Sequence, residues 1–336
     1  MRKLYILGMM LGVCAMFSAC NDEWKDELYK QTISFKAPVG DNGLSEIYVR
    51  YQPDGTGTFQ LPVIVSGSKT NERNIDVKIS VDEDTLQTLN EARFPVGRQD
   101  LWYVPLAEQH YSFESNICHI PAGESIQLYP INFNFDGLEL DDKYVLPLTI
   151  EEDPSYMSNK YKGRYKALLG INLFNDYSGT YNTTLMNIYI QGTSSDPAKV
   201  DTRVARVVDE NTIFFYAGST WVEDEHRSRY KVFAEFEEGT KDEEGTIKGK
   251  VRLYGDDHEP DINIQPLGEC TYEKRIVQHE TIKYMERHLT TLQLSYKYTD
   301  ITSNPAYPMT YEVRGSMTME RQINPLIPDE DQAIQW

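Results

Sequence analysis

Cysteine is scarce: the 336-residue chain has four, and two of them, Cys14 and Cys20, fall within the first twenty positions. The remaining pair, Cys118 and Cys270, cannot form a disulfide framework and has no zinc-ligand spacing, so a stapled miniature fold and a structural zinc site are excluded. We expect two buried free thiols. Basic residues are also few. Against 52 Asp and Glu stand 33 Lys and Arg, giving a formal net charge of −19 at pH 7. Nucleic acid is thereby excluded as a partner, because meeting phosphates needs a basic footprint. After residue 17 no apolar run reaches roughly 18 residues, so no later helix is expected to span a bilayer. There is no Gly-x-Ser-x-Gly elbow, no Walker loop and no cysteine with a histidine in a catalytic setting, and the six histidines are scattered. No cofactor is implied.

What is present begins with a leader. Arg2 and Lys3 precede an apolar stretch over 4–17 that is too short to cross a membrane. Small residues then lead into a cysteine in Phe17-Ser18-Ala19-Cys20, which resembles the lipobox of bacterial lipoproteins. The resemblance implies cleavage before Cys20, a diacylglyceryl thioether on its thiol, and attachment to the outer-membrane lipid through that chain. Residues 20–31 form an acidic tether with no apolar period, opening Asn21-Asp22-Glu23-Trp24-Lys25-Asp26-Glu27. Such a cluster after a lipidated cysteine resembles the signal by which Bacteroidota lipoproteins reach the outer face of the outer membrane.

Residues 32–174 show many short β-like runs separated by turn residues. Runs over 33–35, 46–51, 58–65 and 75–81 alternate or are β-branched, with Pro53-Asp54-Gly55 and Gly67-Ser68 as turns between them. A short capped helix is expected over 84–92, where Leu86 and Leu89 follow acidic residues. Strands resume over 111–113, 117–120, 125–135, 144–150 and 165–174, and Pro147 argues for an edge strand or a bulge. Strands without intervening helices predict antiparallel sheets packed face to face, an immunoglobulin-like β-sandwich. The polar stretch Asn175-Asp176-Tyr177-Ser178-Gly179 marks a boundary. Beyond it, residues 175–336 restart the pattern with more tyrosine over 186–191, 203–208, 212–216, 230–236 and 246–254. Leu292, Leu294, Tyr296 and Tyr298 then share one face, and Tyr311, Val313, Met317 and Met319 return. A second all-β domain is expected, an antiparallel barrel or sandwich, with Gly315 at a bend or bulge.

Trp102-Tyr103-Val104-Pro105-Leu106, Tyr111-Ser112-Phe113, Ile120-Pro121-Ala122-Gly123-Glu124 and Tyr144-Val145-Leu146-Pro147-Leu148 together resemble the N-terminal sandwich of domain-of-unknown-function family 1735. That family occurs on lipoproteins of polysaccharide-utilisation loci and before some family 18 glycoside hydrolases. The second half, from residue 175 through 314–321 to 329–336, resembles the C-terminal partner, family 4361. The resemblance implies a surface lipoprotein that holds oligosaccharide beside an outer-membrane transporter of the starch-utilisation type. It carries over no binding residue.

Sugar recognition needs flat aromatic faces and planar polar groups that bridge hydroxyls. Most of the 23 tyrosines must pack in cores or across strands. Trp221 is the first candidate platform, in a loop-like stretch between Tyr216 and Glu223. Trp102 with Tyr103 is the second, although a tryptophan buried between sheets would read the same way. Two other classes stay open: an assembly subunit of a surface complex, with a large apolar patch, and a divergent hydrolase, since two facing carboxylates suffice for glycoside hydrolysis. The acidic run 256–261 offers hard oxygens, but it lacks the order of a calcium loop and reads as a solvated turn.

Overall fold

The computed structural model describes residues 29–139 and 141–327; the leader, Cys20, most of the tether and the C-terminal stretch 328–336 lie outside them. In the first half, β1 (Thr32–Phe35), β2 (Ser45–Arg50), β3 (Thr56–Ser66) and β4 (Ile75–Val81) precede a helix, α1 (Glu83–Arg93). There follow β5 (Tyr103–Pro105), β6 (Tyr111–Ser112), β7 (Ile117–Ile120), β8 (Ile126–Asn134), β9 (Lys143–Ile150) and β10 (Lys166–Phe174). One sheet has the order β1-β3-β8-β6, the other β2-β10-β9-β4-β7 with β5 added to β9. Every second residue faces inward in a pleated strand, so Val63, Ile131 and Phe133 of one sheet meet Ile47, Val77, Ile120 and Leu148 of the other in a single buried core. The expected sandwich is the observed one.

Two details differ from the sequence expectation. Pro147 lies in β9, which is paired on both sides, so it marks neither an edge nor a bulge. On one side of β9, β5 pairs with residues 143–145 and β4 with 148–150; Pro147, whose carbonyl takes the Asp82 N–H, sits at the handover where no donor is required. The sheets are also not wholly antiparallel: β10 runs parallel to β2, and β5 to β9. Each of these pairs is joined by a long connection, which permits what a hairpin would forbid.

Helix α1 is capped by Asp82, whose carboxylate accepts the Thr85 N–H (3.3 Å) and pairs with Lys166 (2.7 Å). Leu86 packs with Leu44, Tyr103 and Val145. One turn later the buried Asn90 side chain holds both backbone groups of Tyr103, donating to its carbonyl and accepting its N–H, each at 2.9 Å. This two-way pairing fixes the helix end, and therefore Arg93, beside β5.

The second half contains β11 (Gly179–Asn182), β12 (Asn187–Ile190), β13 (Thr202–Val207), β14 (Thr212–Tyr216), β15 (Lys231–Phe236), β16 (Thr240–Lys241) and β17 (Ile247–Tyr254). β18 (Gln265–Pro266), β19 (Cys270–Gln278), β20 (Glu286–Asp300) and β21 (Met309–Ile323) complete it. The ring β11-β13-β14-β15-β17-β19-β20-β21 is antiparallel throughout and closes where Asn182 of β11 meets Thr318 of β21. The domain is thus an eight-stranded barrel. Its interior is filled by Tyr181, Phe215, Val232, Leu292, Tyr296 and their neighbours, so it encloses packing and no channel. Strand β19 has no counterpart in the sequence reading, because Glu273, Lys274, Arg275 and Gln278 dilute the alternation of Cys270 and Tyr272. Gly315 sits in an unbroken register with β20, so it is not a bulge. Its φ of +137° and the absent side chain let the Leu185–Met186 backbone lie directly upon it.

A short connection joins the domains. Phe174, the last residue of β10, lies between the Arg50 and Arg321 guanidiniums, 4.8 and 5.7 Å from its ring centre. Asn175 is buried, donating to the Asp209 carbonyl (2.8 Å) and accepting the Tyr177 and Ser178 N–H groups. Asp176 bridges Arg50 (3.0 Å) and Lys274 (2.8 Å), one from each domain. Burial raises its pKa, but Lys274 and then Arg50 outweigh that and hold it at about 2, against an ordinary 3.8. A depressed carboxylate pKa contributes stability that is complete above the ordinary value and lost as pH falls toward about 2. Denaturant midpoints measured from pH 5 down to pH 2 should therefore fall more steeply for the native chain than for Asp176→Asn; parallel curves would refute the clamp.

Candidate functional site

The sequence-selected aromatics converge on the junction between the domains. Arg98 donates to the Glu223 carbonyl across it, and Arg227 donates to the Asp100 carbonyl (2.8 Å) and pairs with the Asp100 carboxylate (3.3 Å). The loop after β14 is thereby docked on the segment that leads into β5. Trp221, at the head of a turn closed by the Asp224 N–H (3.1 Å), remains 68% exposed. The loop below it is held by Arg203, which is buried and donates to the carbonyls of Gly218 and Thr220.

The other selected residues have different surroundings from those a ligand platform needs. Tyr216 is 3% exposed and its hydroxyl donates to the Asp141 carboxylate, so it offers no ring face: it is part of the junction, because β14 is covered by the sandwich. Tyr103 is buried among Leu44, Leu86 and Val145. Trp102 is partly buried, with an indole Nε1 that has no acceptor among the described residues. The Glu223 side chain is exposed and lies within the electrostatic neighbourhood of Lys143. Of the five, Trp221 and Glu223 keep accessible functional groups.

Between the domains lies a cleft of about 420 Å³ that the sequence reading missed. Its floor is β10, where the bare Cα of Gly170 leaves room for the Glu46 side chain to lie across the strand. Glu46 accepts hydrogen bonds from the Asn42 and Asn172 amides, the latter at 2.5 Å. Arg93 from the end of α1 and Tyr103 form one wall, Lys143 and Tyr144 from the start of β9 another, and Arg206 on β13 closes it from the barrel side. Arg206 is engaged by Asp141, through its carbonyl (3.1 Å) and its carboxylate (3.7 Å). Lys143 and Arg93 differ: among the described residues neither has a carboxylate within ion-pair distance, and Arg93 bonds the Asp41 carbonyl (3.3 Å). Burial, then the positive charges of Arg206, Arg227 and Arg93, push the Lys143 ammonium below the ordinary lysine range. Burial, then Asp141 and Glu139, push Asp142 at the same rim upward. Isolated basic residues of this kind carry no sequence signal; only the docking of the domains assembles them.

Elsewhere, Cys118 and Cys270 are both buried free thiols in separate domains, and burial raises Cys118 to about 11. The run 256–261 turns its oxygens on itself: Asp256 accepts the His258 and Glu259 N–H groups, and Glu259 pairs with Arg229 (2.7 Å). No cluster of three metal-ligating side chains occurs among the described residues, and none of their helices is long and apolar enough to cross a membrane.

A filled barrel in contact with a sandwich, with a recessed polar and aromatic cleft at the seam, defines a two-domain all-β protein. The chain belongs to the family of Bacteroides two-domain proteins represented by a multidomain protein including DUF1735 from Bacteroides ovatus, which is 39% identical, with a TM-score of 0.78 over 90% of this chain and 99% of that one. A second Bacteroides ovatus protein, of unknown function, is 40% identical, with a TM-score of 0.80 over 91% and 100%. An auxiliary nutrient binding protein from Bacteroides thetaiotaomicron is 29% identical, with a TM-score of 0.76 over 90% and 100%. The family model for domain of unknown function 4973 matches residues 24–154, and a C-terminal-domain model matches 165–318. The resemblance to family 1735 thus holds through the relative that carries it. No protein of curated function matches.

Proposed function

We propose that the chain is a lipid-anchored protein of the outer cell surface that binds oligo- or polysaccharide without cleaving it and presents it to an outer-membrane transporter of the starch-utilisation type. The observation that carries this reading is Trp221, two-thirds exposed on a loop pinned to the domain junction, with the exposed Glu223 beside it. A large aromatic held on a rigid loop can stack on a sugar ring with little ordering cost. The similarity to a protein described as auxiliary and nutrient binding supports a capture role, as do the lipobox-like Phe17-Ser18-Ala19-Cys20 and the acidic run behind it.

Calorimetry against a glycan panel tests the proposal. Trp221→Ala is expected to weaken the bound glycan about tenfold or more, as truncating a stacked tryptophan at a binding centre does, with thermal stability unchanged because the side chain is exposed. Unaltered affinity removes Trp221 from the site, binding of no glycan removes the function, and release of cleaved product would assign a hydrolase. Acylation at Cys20 by mass spectrometry, with protease sensitivity on intact cells, tests the location.

A further inference from the structure

We infer that the inter-domain cleft takes an anionic sugar residue, its negative charge seated between Lys143 and Arg93. The inference rests on the glycan-binding reading and names the substrate class for it. In a chain of net charge −19, about half of the described Lys and Arg side chains have a carboxylate within ion-pair distance. Arg50, Arg98, Arg206, Arg227, Arg229 and Arg287 all have carboxylate partners. Lys143 and Arg93, which line the same cleft, are two basic groups without a carboxylate at ion-pair distance among the described residues, Arg93 bonding the Asp41 carbonyl.

Three carboxylates stand in or beside the cleft, and Asp142 accepts the Tyr144 hydroxyl (3.5 Å), its pKa pushed up by burial and then by Asp141 and Glu139. Glu46 is held by the Asn42 and Asn172 amides, and Asp141 by Arg206, Arg227 and the Tyr216 hydroxyl. Half-buried Lys143 carries a burial cost and the repulsion of Arg206, Arg227 and Arg93, which Glu223 offsets only in part. A ligand anion would remove that cost and accept charge-assisted hydrogen bonds from both groups. Tyr103 and Tyr144 line the same space as apolar edges for a ring, and the amides and Glu46 beneath can meet hydroxyls. A volume of about 420 Å³ falls within the roughly 300–1,000 Å³ of small-ligand sites. The overall acidity of the chain repels anions at long range, so the selectivity must come from this local pair.

The test is calorimetric titration with oligogalacturonate and oligoglucuronate, the methyl ester of each, and a sulfated galacto-oligosaccharide. The native protein is expected to bind an anionic oligomer at least about tenfold more tightly than its uncharged ester. Lys143→Met and Arg93→Gln are each expected to lower the ratio of acid to ester affinity at least about tenfold. Two variants on different elements, with melting temperature measured for each, separate lost recognition from lost folding. Preference for uronate identifies the anion as carboxylate, and preference for the sulfated oligomer identifies it as sulfate. Equal binding of acid and ester, or a preference that survives both substitutions, overturns the anionic-site inference and leaves glycan binding standing. Binding of no sugar in the full glycan panel overturns both.

Discussion

Gly315→Ala should destabilise the barrel by about 2–6 kcal/mol, summing roughly 1–3 for a side chain at a strained φ and 1–3 for overpacking. The clash is unusually direct. A Cβ at this position would stand 2.1 Å from the Leu185 carbonyl oxygen and 2.9 Å from the Met186 Cα. Both are backbone atoms of the turn between β11 and β12, and β12 is paired with β21 immediately before Gly315, so neither side can retreat without opening a ladder. Gly97→Ala supplies the comparison: its φ is +94°, but its Cβ would meet nothing within 4 Å. Denaturant midpoints for the two variants then separate backbone strain from steric overlap. Equal losses would show that the contact with the β11–β12 turn does not constrain the barrel.

Arg227→Met is expected to cost about 3–5 kcal/mol, the range for removing one partner of a buried ion pair. The Arg227 side chain is 9% exposed and is the node of the junction. It holds the Asp100 carbonyl and carboxylate, the Asp224 carbonyl (3.2 Å) and the Asp141 carboxylate (3.7 Å). Methionine fills much of the same volume but leaves Asp141, itself 8% exposed, with less neutralisation. The loss should appear as uncoupling, with one unfolding transition in the native chain and two in the variant, since each domain retains its own core. A double-mutant cycle with Asp141→Asn should return a coupling of about 0.5–3 kcal/mol. A single unshifted transition would mean that Arg227 does not hold the junction.

Much of the fold was legible because strand formation is written locally. Ile75, Val77 and Ile79 alternate inward as expected although Val81, expected on the same face, is exposed; a helix expected over 84–92 forms over Glu83–Arg93, and the Leu292 to Tyr298 stripe does face a core. The site was legible only in part. Trp221 and Glu223 lie in a loop, where an exposed side chain can be inferred from charged neighbours, and they are exposed. Tyr216 has almost the same local context, but β14 is covered by the sandwich, and local composition does not reveal which strand a neighbouring domain will cover.

What the sequence determined by itself was the all-β class and two bodies of short strands. A pleat of period two needs only neighbouring residues to declare it. Tertiary structure alone decided the parallel pairs, the closure of the barrel, the role of Gly315, and the meeting of Arg93, Lys143 and Arg206 in one cleft. Contacts such as Arg227 with Asp100 join positions 127 apart in the chain. No periodicity spans such a separation, so these groups become neighbours only when two independently formed cores dock.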